Sequence, residues 1–235
     1  MRKITRLDQD KAGYRYNRDS FILAGFLQIK GGSSVIDMGA GVGALSILAG
    51  LSQPDISIVA LELDHKLLST ARKNAESNRI KRFYAVAGDM TQADRLFPGR
   101  AFDAVISNPP YRKAGTGRIN PDPGKAMARH EIKMTLEGLV KASSAILKNE
   151  GALYITMLYE RRDEYLALIQ AYGFSERRYR LVCSFPLSAP SLFLSEARLS
   201  PAPGTVVEEP PMILKSTDGG DSEEFNAIMA RFVGP

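Results

Sequence analysis

The stretch from Ser34 to Leu51, SVIDMGAGVGALSILAGL, leaves this chain few folds to choose from. The five residues Ser34–Met38, SVIDM, read as a core strand, and the helical repeat of Leu45, Leu48 and Leu51 reads as a helix. Only five residues, G-A-G-V-G, carry the chain from one to the other, and three of them are glycine. A strand, a glycine-rich turn and a helix start are the parts of a nucleotide-binding βα unit. The spacing is Gly39-x-Gly41-x-Gly43, not the G-x-G-x-x-G of dinucleotide enzymes, which argues against a nicotinamide dehydrogenase. Asp37 lies two residues before the first glycine. Its carboxylate can receive loop N–H groups or, through water, a cationic ligand, and it would repel a pyrophosphate.

The next segments repeat the β-then-α alternation. Ser57 to Leu63 is a second strand, with Glu62 at its end, 21 residues after Gly41. An acid there can take ribose hydroxyls, and the plainer reading is a solvated strand-end carboxylate. Asp64 is suited to cap a helix from His65 to Asn78, with Leu67, Leu68, Ala71 and Ala75 inward. His65 falls in the first turn of that helix and needs no chemical role. Phe83 to Ala87 is a third strand, followed by Gly88-Asp89-Met90, where Asp89 can also serve as a helix cap.

A fourth strand, Phe102 to Ser107, runs into Asn108-Pro109-Pro110-Tyr111. Pro109 has a fixed φ and no N–H, and Pro110 pushes Pro109 towards an extended conformation. The tetrapeptide is therefore stiff. It can hold a carboxamide, backbone carbonyls and an aromatic ring in fixed relation at the strand end where open α/β sheets bind ligands. Such a set suits methylation of an amino group conjugated to an aromatic ring. The Asn108 side-chain oxygen and the Pro109 carbonyl can take its two N–H bonds and stabilise the charge that develops on nitrogen, in the way preorganised dipoles act elsewhere. Tyr111 can stack on an extruded base. The bland reading is a strand closed by a proline turn.

After it comes a Gly- and Pro-rich stretch with Arg112, Lys113, Arg118, Lys125 and Arg129 against one acid, Asp122. A basic loop beside a ligand site can contact phosphates, or can be an ordinary solvated loop. Arg129 and His130 are read as positioning residues or loop anchors, because methyl transfer to a neutral amine needs no general base. A helix from Glu131 to Lys148, a strand from Gly151 to Leu158 and a helix from Glu160 to Tyr172 stopped by Gly173 follow. Ser175–Cys183 and Leu192–Ser200 read as an antiparallel pair, residues 201–220 as loosely ordered, and 221–232 as a short closing helix. At the other end, Asp19 caps a helix to about Lys30, preceded by a polar, basic arm containing Gly13-Tyr14-Arg15-Tyr16-Asn17-Arg18. The expected fold is α/β and Rossmann-like: a mostly parallel seven-stranded sheet with a C-terminal antiparallel pair and helices on both faces. The whole chain, 1–235, is expected to be one domain, with an N-terminal arm and helix (1–32), a core (33–200) and a C-terminal extension (201–235).

Charge and cysteine usage narrow the setting. Lys and Arg number 31 against 26 Asp and Glu, a net +5 that permits RNA as partner without demanding it. One cysteine, Cys183, excludes an internal disulfide and fits a reducing compartment. Cys183 lies in an apolar run and reads as an inert core residue. With two histidines and one cysteine no structural zinc site is expected. The N-terminus lacks the apolar core of a signal peptide, and no run is long enough to span a membrane.

The acidic start and G-x-G-x-G spacing of DMGAGVG resemble motif I of the class I S-adenosylmethionine-dependent methyltransferases, and NPPY resembles the [DNS]-P-P-[YFW] motif of amino-methyltransferases. GYRYNRDSFILAGF, VIDMGAGVGALSI, SNPPY and PDPGKAMARHE together resemble the bacterial adenine-N6 methyltransferases that act on tRNA(Val) beside the anticodon. The C-terminal PMILK followed by an acidic-start helix is similar to the same family, and Arg112 departs from it, since an aromatic commonly follows the tyrosine there. The resemblance implies S-adenosylmethionine as cofactor, tRNA as substrate, no metal and a free cytoplasmic enzyme. It implies cofactor contacts at Asp37, Gly39, Gly41, Gly43, Glu62, Leu63, Asp89, Met90 and Asn108, with Asp89 accepting the cofactor's adenine amino group. Asn108, Pro109 and Tyr111 would act on the substrate amine, with Arg112, Lys113, Arg118, Lys125, Arg129 and His130 on the RNA. Two alternatives remain at this level: methylation of a protein glutamine amide, which presents the same unreactive nitrogen, and a non-catalytic RNA- or cofactor-binding module of the same fold.

Overall fold

The computed structural model describes residues 3–8, 18–109, 136–200, 202 and 204–234. Its strands are β1 (Ser34–Met38), β2 (Ser57–Glu62), β3 (Phe83–Ala87), β4 (Phe102–Ser107), β5 (Leu147–Leu158), β6 (Phe174–Cys183), β7 (Pro190–Leu199) and β8 (Val207–Ile213). The helices are α1 (Arg18–Phe26), α2 (Ala44–Ser52), α3 (His65–Ser77), α4 (Ala93–Leu96), α5 (Leu136–Ile146), α6 (Arg162–Ala171) and α7 (Glu223–Phe232). All eight strands form one sheet in the order β3-β2-β1-β4-β5-β7-β6-β8. The first five are parallel, β7 is antiparallel to both neighbours, and β8 returns parallel to β6.

The period-two pattern of the strands sorts side chains into two cores. Val35, Ile58, Ala104, Ile106 and Tyr154 face one side, where α1, α2 and α7 supply Phe21, Ile22, Leu48, Phe225 and Phe232. Ile36, Met38, Val105, Leu153 and Ile155 face the other, against Leu139, Val140 and Ile146 of α5 and Tyr165 and Ile169 of α6. Both faces of the central strands are buried, as parallel sheets require, which is why they read as unbroken apolar runs. The order reverses between β1 and β4, the switch point beside which doubly wound sheets bind ligands.

The bounds of β1 and β3 agree with the sequence reading, and Asp64 caps α3 by accepting from the N–H groups of Lys66 and Leu67. Gly173, at φ 80°, ends α6. Other expectations are corrected. The sheet has eight strands, not seven: Val207–Ile213, within the stretch expected to be loosely ordered, pairs with β6. It can hold Pro210 and Pro211 because it is an edge strand, where a missing N–H costs no ladder bond on the open side. The helix before β5 ends at Ile146 rather than Lys148, because Leu147 already pairs with Phe102. Between Leu147 and Ala152 the ladder is offset, with Glu150 at φ 60°. The first helix ends at Phe26 rather than near Lys30.

The arm holds a bond pattern that the sequence did not announce. Asn74 on α3 and Asn78 at its C-terminal cap, one turn apart, are both buried. Asn74 Oδ1 accepts from the Asp8 N–H (2.7 Å), and its Nδ2 donates to the carbonyls of Asp8 and Val42 (2.9 Å each). Asn78 Oδ1 accepts from the Thr5 N–H (2.7 Å), and its Nδ2 donates to the Arg6 carbonyl (2.6 Å). The Ile4 N–H bonds the Phe232 carbonyl at the end of α7. Two side chains thus satisfy backbone groups of an arm that belongs to no sheet. The arm segment 9–17, with its two tyrosines, lies outside the described residues.

Candidate active site

The site is assembled from the C-terminal ends of β1, β2, β3 and β4. After β1, the chain turns through Gly39, Gly41 and Gly43 at φ 75°, 56° and 80°. Three left-handed residues within five explain the glycine spacing, since a Cβ is costly in that region. Gly43 is constrained a second way: a Cβ there would meet Ala71 Cβ of α3 at 3.0 Å. The N–H groups of Gly39 and Ala40 bond the Leu61 carbonyl, tying the turn to β2.

Glu62 braces this turn from the next strand. Its Oε2 accepts from the Gly41 N–H and its Oε1 from the Asp64 N–H, both at 2.9 Å. The residue is only 8% exposed, yet each carboxylate oxygen can accept more than one bond. Asp37 is more deeply buried. Its Oδ2 accepts from the backbone N–H (3.0 Å) and hydroxyl (2.7 Å) of Ser46. The partner is thus the first turn of α2 rather than the glycine loop itself. Burial pushes the Asp37 carboxyl up to about 7, against the lowering effect of the Ser46 bonds, with a smaller upward push from the Glu62 charge.

At the end of β3, Asp89 Oδ1 accepts from the Thr91 N–H (2.9 Å) and Thr91 hydroxyl (2.7 Å), capping a single 3₁₀ turn at Met90–Gln92. The cap reading of Asp89 therefore holds. Met90 is buried in the core under α5, and Leu63 is half-buried beside Glu62.

Asn108 continues β4 beside the glycine turn. The register pairs Asp37 with Ile106, which brings Gly39 level with Asn108 across the switch point. Ser107 locks this level by donating its hydroxyl to the Met38 carbonyl (2.8 Å). Asn108 is 8% exposed, and its Nδ2 donates to Ser20 Oγ on α1 (3.1 Å). Pro109 is also buried. Ser20 was not singled out from sequence. Its signal is a small polar residue inside the otherwise apolar buried stripe of α1.

Asp37, Gly39, Gly41, Gly43, Glu62, Asp89, Asn108 and Pro109 thus lie at one edge of the sheet. Tyr111, Arg112, Lys113, Arg118, Lys125, Arg129 and His130 lie outside the described residues. Among the described residues no group of His, Cys, Asp and Glu could hold a metal ion, and no helix is long and apolar enough to cross a membrane. The donor set fits S-adenosylmethionine: a left-handed glycine turn to lie against, and carboxylates, not cations, for hydroxyl and amino groups.

Residues 15–173 match the family model of the methyltransferase small domain. The chain is 28% identical, over 98% of its own length and 94% of the relative's, to a protein of Tolumonas auensis named tRNA1(Val) (adenine(37)-N6)-methyltransferase. A protein of the same name from Bacteroides thetaiotaomicron is 30% identical over 79% of this chain and 77% of its own. Among solved structures, one described as a predicted O-methyltransferase of Agrobacterium tumefaciens superposes with a TM-score of 0.71 at 18% identity, covering 92% of this chain and 98% of that one. That last likeness is one of fold.

Proposed function

The chain belongs to the methyltransferase small domain family, and from that membership we propose that it methylates the N6 amino group of adenine 37 in tRNA1(Val), the reaction its relatives are named for. The observation that carries the reading is the placement of Asn108 and Pro109 level with the glycine turn across the β1/β4 switch point. The names of the relatives give no support to the glutamine-amide alternative.

S-adenosylmethionine, when bound, supplies an electrophilic methyl group on a sulfonium. The residues proposed to hold it are the turn Gly39–Gly43, Glu62 for the ribose hydroxyls and Asp89 near the adenine, with Asp37 beneath the turn and Leu63 and Met90 along the wall. The target amine is a poor nucleophile because its lone pair is shared with the ring. Asn108 Oδ1 and the Pro109 carbonyl are proposed to accept its two N–H bonds, drawing it towards a pyramidal shape and stabilising the positive charge that grows on it. Ser20 holds the other end of the Asn108 amide, so the acceptor is oriented before substrate arrives. Tyr111 is proposed to stack on the base, and Arg112, Lys113, Arg118, Lys125, Arg129 and His130 to contact the RNA. Holding both partners in line supplies much of the remaining rate gain. We further propose that the whole chain works as one domain, since the arm, β8 and α7 all bond to the sheet or its helices, and that it does so in the cytoplasm, where a tRNA substrate is met.

The test is nucleoside mass spectrometry of tRNA from a strain lacking the gene, with the purified protein added back. Loss of N6-methyladenosine from tRNA1(Val), restored by protein and S-adenosylmethionine, is expected. Unchanged N6-methyladenosine in that tRNA, or label transferred only to protein, would refute the reading.

A further inference from the structure

The hairpin joining β6 to β7 has the sequence Ser184-Phe185-Pro186-Leu187-Ser188-Ala189-Pro190 and contains no acidic residue. Leu187 is fully exposed, Phe185 is 45% exposed, and Pro186 lies between them at the surface. Leu187 is one of four described non-glycine residues with positive φ, at 62°. A branched apolar side chain in that conformation costs the turn stability and contributes no burial in return.

The turn is nonetheless tightly built. Ser188 Oγ donates to the Phe185 carbonyl (2.8 Å) and accepts from the Phe185 N–H (3.1 Å), and the Ser188 N–H bonds the same carbonyl. Its root is fixed by bonds from the Leu214 and Lys215 N–H groups to the carbonyls of Cys183 and Ser184. A rigid platform thus presents a leucine to solvent.

The register places this tip at the proposed catalytic edge. Leu192 of β7 pairs with both Val182 of β6 and Leu158, the last residue of β5. Ile155 of β5 pairs with Ser107, the residue before Asn108. The hairpin therefore rises beside the C-terminal end of β5, two and three strand positions from β4, or about 10–15 Å across the sheet, with its base about three residues further along the strands than Ser107. Tyr159, 41% exposed, follows directly on β5 at the same edge.

We propose that the Phe185–Pro186–Leu187 tip is a wedge for the substrate RNA, packing against the unstacked bases next to the adenosine that enters the site. Inserted Phe, Leu and Pro side chains are a recurrent means of holding nucleic-acid bases apart, and aromatic faces take up bases exposed in loops. An exposed apolar tip without an acidic residue suits the faces of exposed bases. This inference rests on the RNA reading given above.

Leu187→Gly is the informative variant, because glycine adopts φ near 60° freely and the turn should keep its shape. Steady-state kinetics would be measured on an unmodified tRNA1(Val) transcript, beside thermal melting, S-adenosylmethionine binding and sedimentation. Expected are a melting temperature no lower than wild type, unchanged cofactor affinity, and kcat/KM reduced about tenfold, mainly through KM. Leu187→Met should restore it. A Leu187→Gly enzyme within twofold of wild type on the transcript would overturn the wedge, as would loss of a self-associated form with unchanged RNA kinetics. A wild-type enzyme inactive on the transcript would instead refute the RNA reading, and the wedge with it.

Discussion

Asn108 Nδ2 donates to Ser20 Oγ over 3.1 Å, joining the end of β4 to a helix 88 residues earlier in the chain. A carboxamide at a strand end has freedom about χ2, and this bond removes it. Ser20→Ala should therefore lower kcat about tenfold while leaving cofactor affinity intact. Asn108→Ala should lower kcat by about 10² or more, the scale seen when one preorganised hydrogen-bonding group is removed from a reacting centre. Single-turnover methylation of the transcript, beside calorimetric cofactor binding, separates the two. Wild-type turnover in Asn108→Ala would end its assignment as amine acceptor.

Glu62 braces the glycine turn and is proposed to hold the cofactor ribose, and one substitution tests both. Its oxygens hold the N–H groups of Gly41 and Asp64 and are proposed to take the ribose hydroxyls as well. Glu62→Gln keeps one acceptor oxygen and places an amide donor where an N–H already points, so both tasks suffer. Cofactor affinity should fall about tenfold or more by isothermal titration, since charge-assisted bonds are the strong ones. Turnover at saturating cofactor should fall much less. An unchanged affinity would remove Glu62 from the binding set.

Asp37 gives the fold a pH dependence of unusual sign. In the unfolded chain it ionises near pH 4, and in the folded chain near 7. Between those values the folded state keeps a proton that the unfolded state has lost, so stability falls as pH rises from about 4 to 7 and is level above. The full span is on the order of 4 kcal/mol, and the steepest slope about 1.4 kcal/mol per pH unit. Asp37→Asn should remove that contribution, as read from urea midpoints of the cofactor-free protein at several pH values. Parallel wild-type and Asp37→Asn profiles would show that Asp37 does not titrate in this window.

What could be read in advance follows from how local each signal is. The glycine turn, the Asp64 cap, the Gly173 stop and the strand before Asn108 are each specified by residues within a few positions, so their geometry was legible. β8 was not, because Glu208, Glu209, Pro210 and Pro211 read as a solvated linker and become a strand only when the edge of β6 is offered to them. The early start of β5 likewise depends on Phe102 being there to pair with Leu147. Ser20 and Asn74 are small polar residues on helices. Their importance lies in distant partners, 88 residues away for Ser20 and 66 and 32 residues away for Asn74.

Asn74 offers the sharpest check on that kind of long-range contact. Its side chain makes three bonds, two to Asp8 in the arm and one to Val42 in the glycine turn, and it is 1% exposed. Asn74→Ala leaves the buried Val42 carbonyl and the half-buried Asp8 N–H and carbonyl without this partner, at a cost of about 1–3 kcal/mol in global stability by urea denaturation. It should also release residues 3–8 to proteases at a rate well above wild type, because the arm loses its central anchor while Asn78 still holds Thr5 and Arg6. Since the Val42 bond supports the turn between Gly41 and Gly43, cofactor affinity should drop severalfold in the same variant. Asn74→Asp separates these effects. It retains an oxygen for the Asp8 N–H but no donor for the Val42 carbonyl, so the arm should stay partly protected while cofactor affinity still falls. Equal affinity in all three proteins would mean that the turn keeps its shape without the Asn74–Val42 bond.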